Sequence, residues 1–267
     1  MSNSAAPDIA DLSDAAFGSN PSSWPLPPAA DPADLWLRAV AAGGQGHYSS
    51  ALADLDRLRR IVARGRYASL ALSTRASFLR QLGWHDCARP LDGQALAVAN
   101  GDGESSADAL IGLAADALGV GRSAASARAL GRAAGLVEAA QVPRLRVRHA
   151  WVSAELAMVC GDGGAAVGHA GAAIELAEQL GSVRHLVKSG VVLAAARCCH
   201  GDVAGARRSA DEALCSAGRH GLVPLRWAAA CLLADIGSAE HSPAEIAGIR
   251  DRCAGIVTRW GGVWRPR

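Results

Sequence analysis

The chain has 267 residues, half of them apolar but only 4% aromatic, with a formal charge of +2. That length is enough for a sizeable core or a long solenoid. The small net charge hides an acidic leader on a mildly basic body, and seven cysteines, an odd number without framework spacing, exclude a small disulfide scaffold and fit a reducing cytoplasm.

Residues 1–32 form the first segment. They hold Pro21, Pro25, Pro27, Pro28 and Pro32 and read as a flexible acidic arm. Residues 1–34 carry Asp8, Asp11, Asp14, Asp31 and Asp34 and no Lys or Arg, so the rest of the chain is net basic. Within the arm, Ile9, Leu12 and Ala16 fall along one stripe of a short helix, with Phe17 near its end, that could dock on the protein's own groove or on a partner. A basic region followed by an apolar run is missing, so no signal peptide is read. No apolar run reaches the ~20 residues that span a bilayer; the longest, 191–199, contains Arg197.

From Asp34, a plausible N-cap, the chain reads helix, turn, helix six times. The expected pairs are 35–42 with 48–62, 67–81 with 86–99, 106–118 with 123–139, 144–159 with 165–180, 183–199 with 203–220, and 224–236 with 243–260. Pro243 suits a first helical turn, where its missing N–H costs nothing. One alanine marks each unit: Ala39, Ala76, Ala114, Ala154, Ala194 and Ala234, at spacings of 37–40 residues. Seven residues later stands a turn glycine in five units, Gly46, Gly83, Gly121, Gly161 and Gly201, and His241 in the sixth. Small or apolar residues recur twelve residues after the alanine (Ala51, Ala88, Ser126, Ala166, Ala206, Ile246) and nineteen after it (Leu58, Ala95, Ala133, Ala173, Ala213, Cys253). These positions share one face of each second helix.

The small residue, the glycine seven later and the small residues twelve and nineteen later resemble the tetratricopeptide repeat, most closely in Gly46-His47-Tyr48-Ser49-Ser50-Ala51. The resemblance covers residues 33–260. It departs from the family in its longer period, against about 34 residues, in lacking the proline that closes each unit, and in lacking most signature aromatics. It implies a right-handed all-α solenoid of about six antiparallel helix pairs, TPR-like, whose first helices line a concave groove. It also implies a protein or peptide partner and no enzyme activity. A short basic tail, 261–267, follows.

On that geometry the groove is lined by residues three before the index alanine, including Trp36, Ile111, Trp151 and Val191, and four beyond it, including Arg80, Leu118 and Met158. Glu155 and Asp235 lie between these positions, and Lys188 lies near the rim. The expected lining is mostly apolar with few charges, suited to an amphipathic helix or extended peptide. Trp260 is expected to cap the last repeat.

No other chemistry is legible. Cysteines and histidines near the turns lack the close pairs of a metal site, so neither a metal nor another cofactor is expected. There is no nucleophile elbow and no phosphate loop, so no catalytic residue is assigned. Arg57–Arg66 and the alternating Arg144, Arg146 and Arg148 read as solvated basic faces, with RNA binding the lesser alternative. The reading is a non-catalytic cytoplasmic adaptor; the alternative is a regulatory helical domain of transcription or signalling machinery. Oligomeric state is left open.

Overall fold

A computed structural model describes residues 11–266. Among them are thirteen helices and no strands. A short α1 (Leu12–Phe17) precedes six antiparallel pairs: α2 (Pro32–Gln45) with α3 (Tyr48–Ile61), α4 (Arg66–Gln81) with α5 (His85–Val98), α6 (Gly103–Gly119) with α7 (Ser123–Ala140), α8 (Pro143–Val159) with α9 (Gly163–Leu180), α10 (Val183–Cys199) with α11 (Val203–Arg219), and α12 (Val223–Ile236) with α13 (Pro243–Arg259). Each second helix also touches the first helix of the next pair. This is an all-α, TPR-like solenoid.

The first helix begins three residues earlier than its sequence suggests. Asp31, not Asp34, caps α2 by accepting from the Asp34 N–H at 3.0 Å. Pro32 then takes the first position, where its fixed φ is helical and no donor is lost. Ser242 and Glu245 form a reciprocal capping box on α13, with Pro243 behind the cap.

The alanine ladder is a packing seam in five units. Ala39, Ala76, Ala114, Ala154 and Ala194 are wholly buried, as are Ala51, Ala88, Ser126, Ala166 and Ala206 opposite them. The absence of longer side chains lets the paired helices approach closely. The glycines seven later all adopt positive φ, between 73° and 98°, a conformation that L side chains seldom take.

The sixth unit departs from this register. Ala234 is exposed, and Ala230 is the fully buried residue, one helical turn earlier. Gly237, seven after Ala230, has φ 82°. The link between α12 and α13 covers residues 237–242, longer than the 200–202 link of the preceding pair. A four-residue insertion in the turn thus restores the pattern: Ala230 and Gly237 stand before it, and Ile246, Cys253 and Val257 are buried after it. Leucine at position 154, 194 or 230 is therefore expected to overpack the seam and cost ~1–3 kcal/mol. Ala234→Leu should stay within ~0.5 kcal/mol of the parent. Urea midpoints of the four variants check the register directly.

The inner helices close on themselves. Successive first helices α2, α4, α6, α8, α10 and α12 touch in order, and α12 returns to touch α2. The C-terminal segment fastens this closure. The Ser49 N–H donates to the Trp260 carbonyl at 2.9 Å, and the Trp84 indole donates to the Val263 carbonyl at 2.7 Å. The Arg265 N–H donates to the Leu82 carbonyl at 2.9 Å. Trp260 stacks on His47, which stacks in turn on Trp24 from the N-terminal segment. So Trp260 covers a repeat end by joining it to the first repeat, and residues 260–265 lie against the body.

Residues 11–31, read from sequence as a loose arm, also pack onto the body; Asp8 and Ile9 lie outside the described residues. α1 touches α2 and α10. Beyond it the backbone carbonyls are gripped by side chains of the first pair. Gln45 donates to the Pro21 and Ser23 carbonyls at 2.9 Å each, Arg57 to Ala29 at 2.9 Å and Arg38 to Pro27 at 3.4 Å.

Candidate functional site

The ring of first helices encloses a lumen whose polar half is set by the N-terminal turns of those helices. Positions ten and six before the buried alanine carry Glu104 and Asp108 on α6, Arg144 and Arg148 on α8, and Arg184 and Lys188 on α10. Residues four apart share one helix face, so each helix turns a like-charged pair to its neighbours. The acidic pair on α6 answers the basic pair on α8. Arg144 donates to Glu104 at 2.7 Å and lies 3.4 Å from Asp108, while Arg148 Nε lies 2.8 Å from Asp108. Arg66 of α4 takes the remaining oxygen of Glu104. Burial alone would raise the Asp108 pKa, but Arg148 and Arg144 outweigh it and hold the carboxyl below its ordinary value.

Among the described residues no carboxylate from α12 answers the basic pair on α10, although Glu155 of α8 acts on Lys188. The equivalent positions on α12 and its approach are Pro224 and His220. Arg184 makes no ion pair among the described residues, and its Nε is buried without a hydrogen-bond partner. Burial, with Arg148 and Arg144 nearby, brings its pKa down to about 10. Lys188 lies over the Trp151 ring, 4.4 Å from its centroid. Burial brings Lys188 down to about 8; Glu155 opposes the shift, and Arg148, Arg80 and Arg184 add to it.

Aromatic rings pack among these cations. Phe17 of α1 enters the lumen with its ring 5.4 Å from Trp36 and 5.9 Å from His185. The guanidinium carbons of Arg144 and Arg184 lie 5.6 and 5.7 Å from its centroid. Trp36 donates to Thr74 at 3.0 Å, and Trp151 to Ser189 at 2.8 Å while stacking on His185. Burial, then the charges of Arg184, Arg148 and Arg144, keep His185 well below its usual pKa and so neutral. Beside Phe17 a cavity of about 30 Å³ remains, lined among others by Ser73, Thr74, Arg148 and Arg184, room for one or two waters.

Arg80 of α4 forms a second buried cluster, pairing with Asp92 and with Asp116, the latter at 2.9 Å, while Ser73 donates to Asp92 at 2.8 Å. A larger recess of about 290 Å³ between α3, α4 and α5 has an apolar floor of Ala68 and Leu72, and its polar groups, Arg59 and Gln94, are exposed.

The structure brings some of the expected groove residues together and separates others. Trp36, Trp151 and Lys188 meet around the lumen through Phe17 and His185, whereas Arg80 is an ion-paired group between α4, α5 and α6. Ile111 is core, and Leu118, Met158 and Val191 pack against the hydrophobic clusters between helices. Glu155 is half-buried and acts on Lys188, whereas Asp235 is exposed near the end of α12. Because the sixth register moves by one turn, its lining residue is Trp227, which packs on Trp264 at 4.2 Å. The expected lining of few charges is corrected as well. Arg144 and Arg148 are not a solvated face but line the lumen, while Arg146 alone pairs outside with Glu138. Among the described residues no three His, Cys, Asp or Glu gather as metal ligands, and no helix is long and apolar enough to cross a membrane.

Neither a family model nor a curated protein matches the chain. Its fold is similar to a solved structure described as a Rap protein complexed with Competence and Sporulation Factor. The TM-score is 0.63 at 14% identity, over 88% of this chain and 68% of the other. At that identity the likeness concerns the helical-repeat architecture.

Proposed function

We propose that this protein is a non-catalytic cytoplasmic adaptor whose first helices receive a protein or peptide segment in the lumen. The observation that carries this reading is that the site already holds a peptide-like segment, its own. α1 inserts Phe17 among Trp36, Arg144, Arg184 and His185. The following extended chain is held by side-chain donors aimed at backbone carbonyls, a form of recognition largely independent of sequence. The similar Rap structure, a complex with Competence and Sporulation Factor, supports a partner-holding role for this architecture. Placement of Arg144 and Arg148 inside the ring favours a protein ligand over RNA, since a duplex or long single strand needs its cations on an open surface.

The test supplies the segment in trans. A chain beginning at Asp31 keeps the α2 cap and vacates the lumen. A labelled synthetic peptide of residues 11–31 should bind it saturably in fluorescence anisotropy, and the full-length chain much more weakly, because the tethered segment competes at high effective concentration. If the shortened chain keeps its helical circular dichroism and melts cooperatively yet shows no saturable binding, the lumen is not a peptide site.

A further inference from the structure

We infer that the lumen contains an oxyanion subsite formed by Arg184 and Lys188 of α10 with Arg144 and Arg148 of α8, and that Phe17 of this same chain occupies it in place of the ligand's anionic group. The inference rests on the reading of the lumen as a partner site and adds the chemistry of what enters: a group bearing a carboxylate or a phosphate.

The charge ladder carries the argument. Three successive first helices present pairs in the same register, acidic on α6, basic on α8 and basic on α10. The first two neutralise each other through contacts at 2.7–3.4 Å. The third stands beside the second with no acid from α12 to balance it. Two like-charged i,i+4 pairs on adjacent helices, one of the four cations buried and three half-buried, repel one another. Removing cations from water costs several kcal/mol per ion unless an opposite charge or hydrogen bonds compensate. Among the described residues Arg184 has no ion-pair partner, and its buried Nε has no acceptor. A half-buried arginine that lines a cavity and whose buried Nε lacks an acceptor points to a ligand oxygen.

Phe17 fits that role as a weak surrogate. The face of an aromatic ring is its negative side, and Phe17 places its ring within 6 Å of both guanidiniums, Arg144 at 5.6 Å and Arg184 at 5.7 Å. His185 cannot supply the missing negative charge in either protonation state, and its Nδ1 is engaged with Ser182 at 2.8 Å. Gly44 of α2 makes the arrangement possible from the other side. A Cβ there would come within 2.8 Å of the Arg184 side chain, so this glycine admits the arginine stem to the lumen. An incoming acidic side chain, chain terminus or phosphate would displace the ring and meet guanidinium forks matched to two oxygens.

The test uses the full chain. Phe17→Ala vacates the position, and inorganic phosphate or succinate is titrated into it by calorimetry at ionic strength held constant with sodium chloride. One saturable site is expected. It should be at least tenfold weaker in the parent, where Phe17 competes, and at least tenfold weaker when Arg184→Gln and Lys188→Gln are added to Phe17→Ala. Tighter phosphate binding assigns a phosphorylated ligand, and tighter succinate binding a carboxylate. An absence of binding to Phe17→Ala, or equal binding after the two cations are removed, overturns the subsite. Should Phe17→Ala melt poorly, Phe17→Glu and Phe17→Gln replace it. The carboxylate should raise the melting temperature over the amide only while Arg184 and Lys188 are present, and an equal or lower value overturns the inference. Peptide 11–31 binding in trans without anion binding would remove this subsite and leave the partner site standing. Anion binding without peptide binding would do the reverse.

Discussion

Arg80→Met is expected to destabilise the protein by ~3–5 kcal/mol, among the largest effects of any single substitution in the chain. Arg80 is the shared cation of two carboxylates, Asp92 and Asp116, both wholly buried. Removing one partner of a buried ion pair leaves the other charge without compensation, and that desolvation is the origin of the cost. Methionine keeps most of the stem volume, so the loss isolates charge from packing. Adding Asp92→Asn and Asp116→Asn to Arg80→Met should recover much of the stability, because the unpaired anions are then gone. Denaturant midpoints of the single and triple variants decide it. Near-additive losses would show that these groups do not act as one cluster.

The same cluster gives stability a pH dependence. Burial, opposed by Arg80 and aided by Asp116, pushes the Asp92 carboxyl up to about 7 from an ordinary value of 3.8. Between those values the folded state holds a proton that the unfolded state has released. Stability contributed by this group is therefore fully present below about pH 4, falls as pH rises toward 7 and is level above it. Urea midpoints of the parent and Asp92→Asn across pH 4.5–8 check it: the stability of the parent relative to the variant should fall as pH rises, since the opposite contribution of histidines with lowered pKa, such as His185, is common to both.

Much of the architecture is legible in the chain because a solenoid repeats its packing constraint. A buried seam between close helices tolerates little beyond alanine, and the turn seven residues on demands a residue free to take positive φ. These two requirements fix Ala39 through Ala194 and Gly46 through Gly201. The sixth unit fails at Ala234 only because four residues were inserted in its turn. Gly237, seven after Ala230, and Trp227, three before it, were the available signals. Closure of the ring is not legible, since it depends on small rotations accumulated over six units. The lumen is half legible. Trp36 and Trp151 follow from the register, but the same register applied ten and six residues before the alanine would also have set Glu104 and Asp108 against Arg144 and Arg148. Counting Arg144, Arg146 and Arg148 as one run hid this, because on a helix the outer two share a face and the middle one points elsewhere.

The two lumenal arginines should respond in opposite ways to the same substitution, although they sit at equivalent positions of adjacent repeats. Arg144 is 6% exposed and compensates Glu104 and Asp108, themselves buried. Arg144→Met strands part of that negative charge and is expected to cost about 3 kcal/mol, the low end for a broken buried pair because Arg66 and Arg148 still reach the two carboxylates. Arg184 compensates no carboxylate among the described residues. Arg184→Met keeps an apolar stem beside Gly44 and Phe17 and removes a half-buried cation that repels Arg144 and Arg148. That exchange should leave the protein at least as stable as the parent, since buried charge replaced by well-packed apolar groups is often neutral or stabilising. Denaturant midpoints of both variants, measured at pH 7 in low and high salt, make the comparison. An equal loss at the two positions would mean that Arg184 has a partner as good as that of Arg144. A gain at Arg184 would show that the folded chain carries an unbalanced charge at its centre, and such a residue persists in a marginally stable protein only where something other than stability retains it.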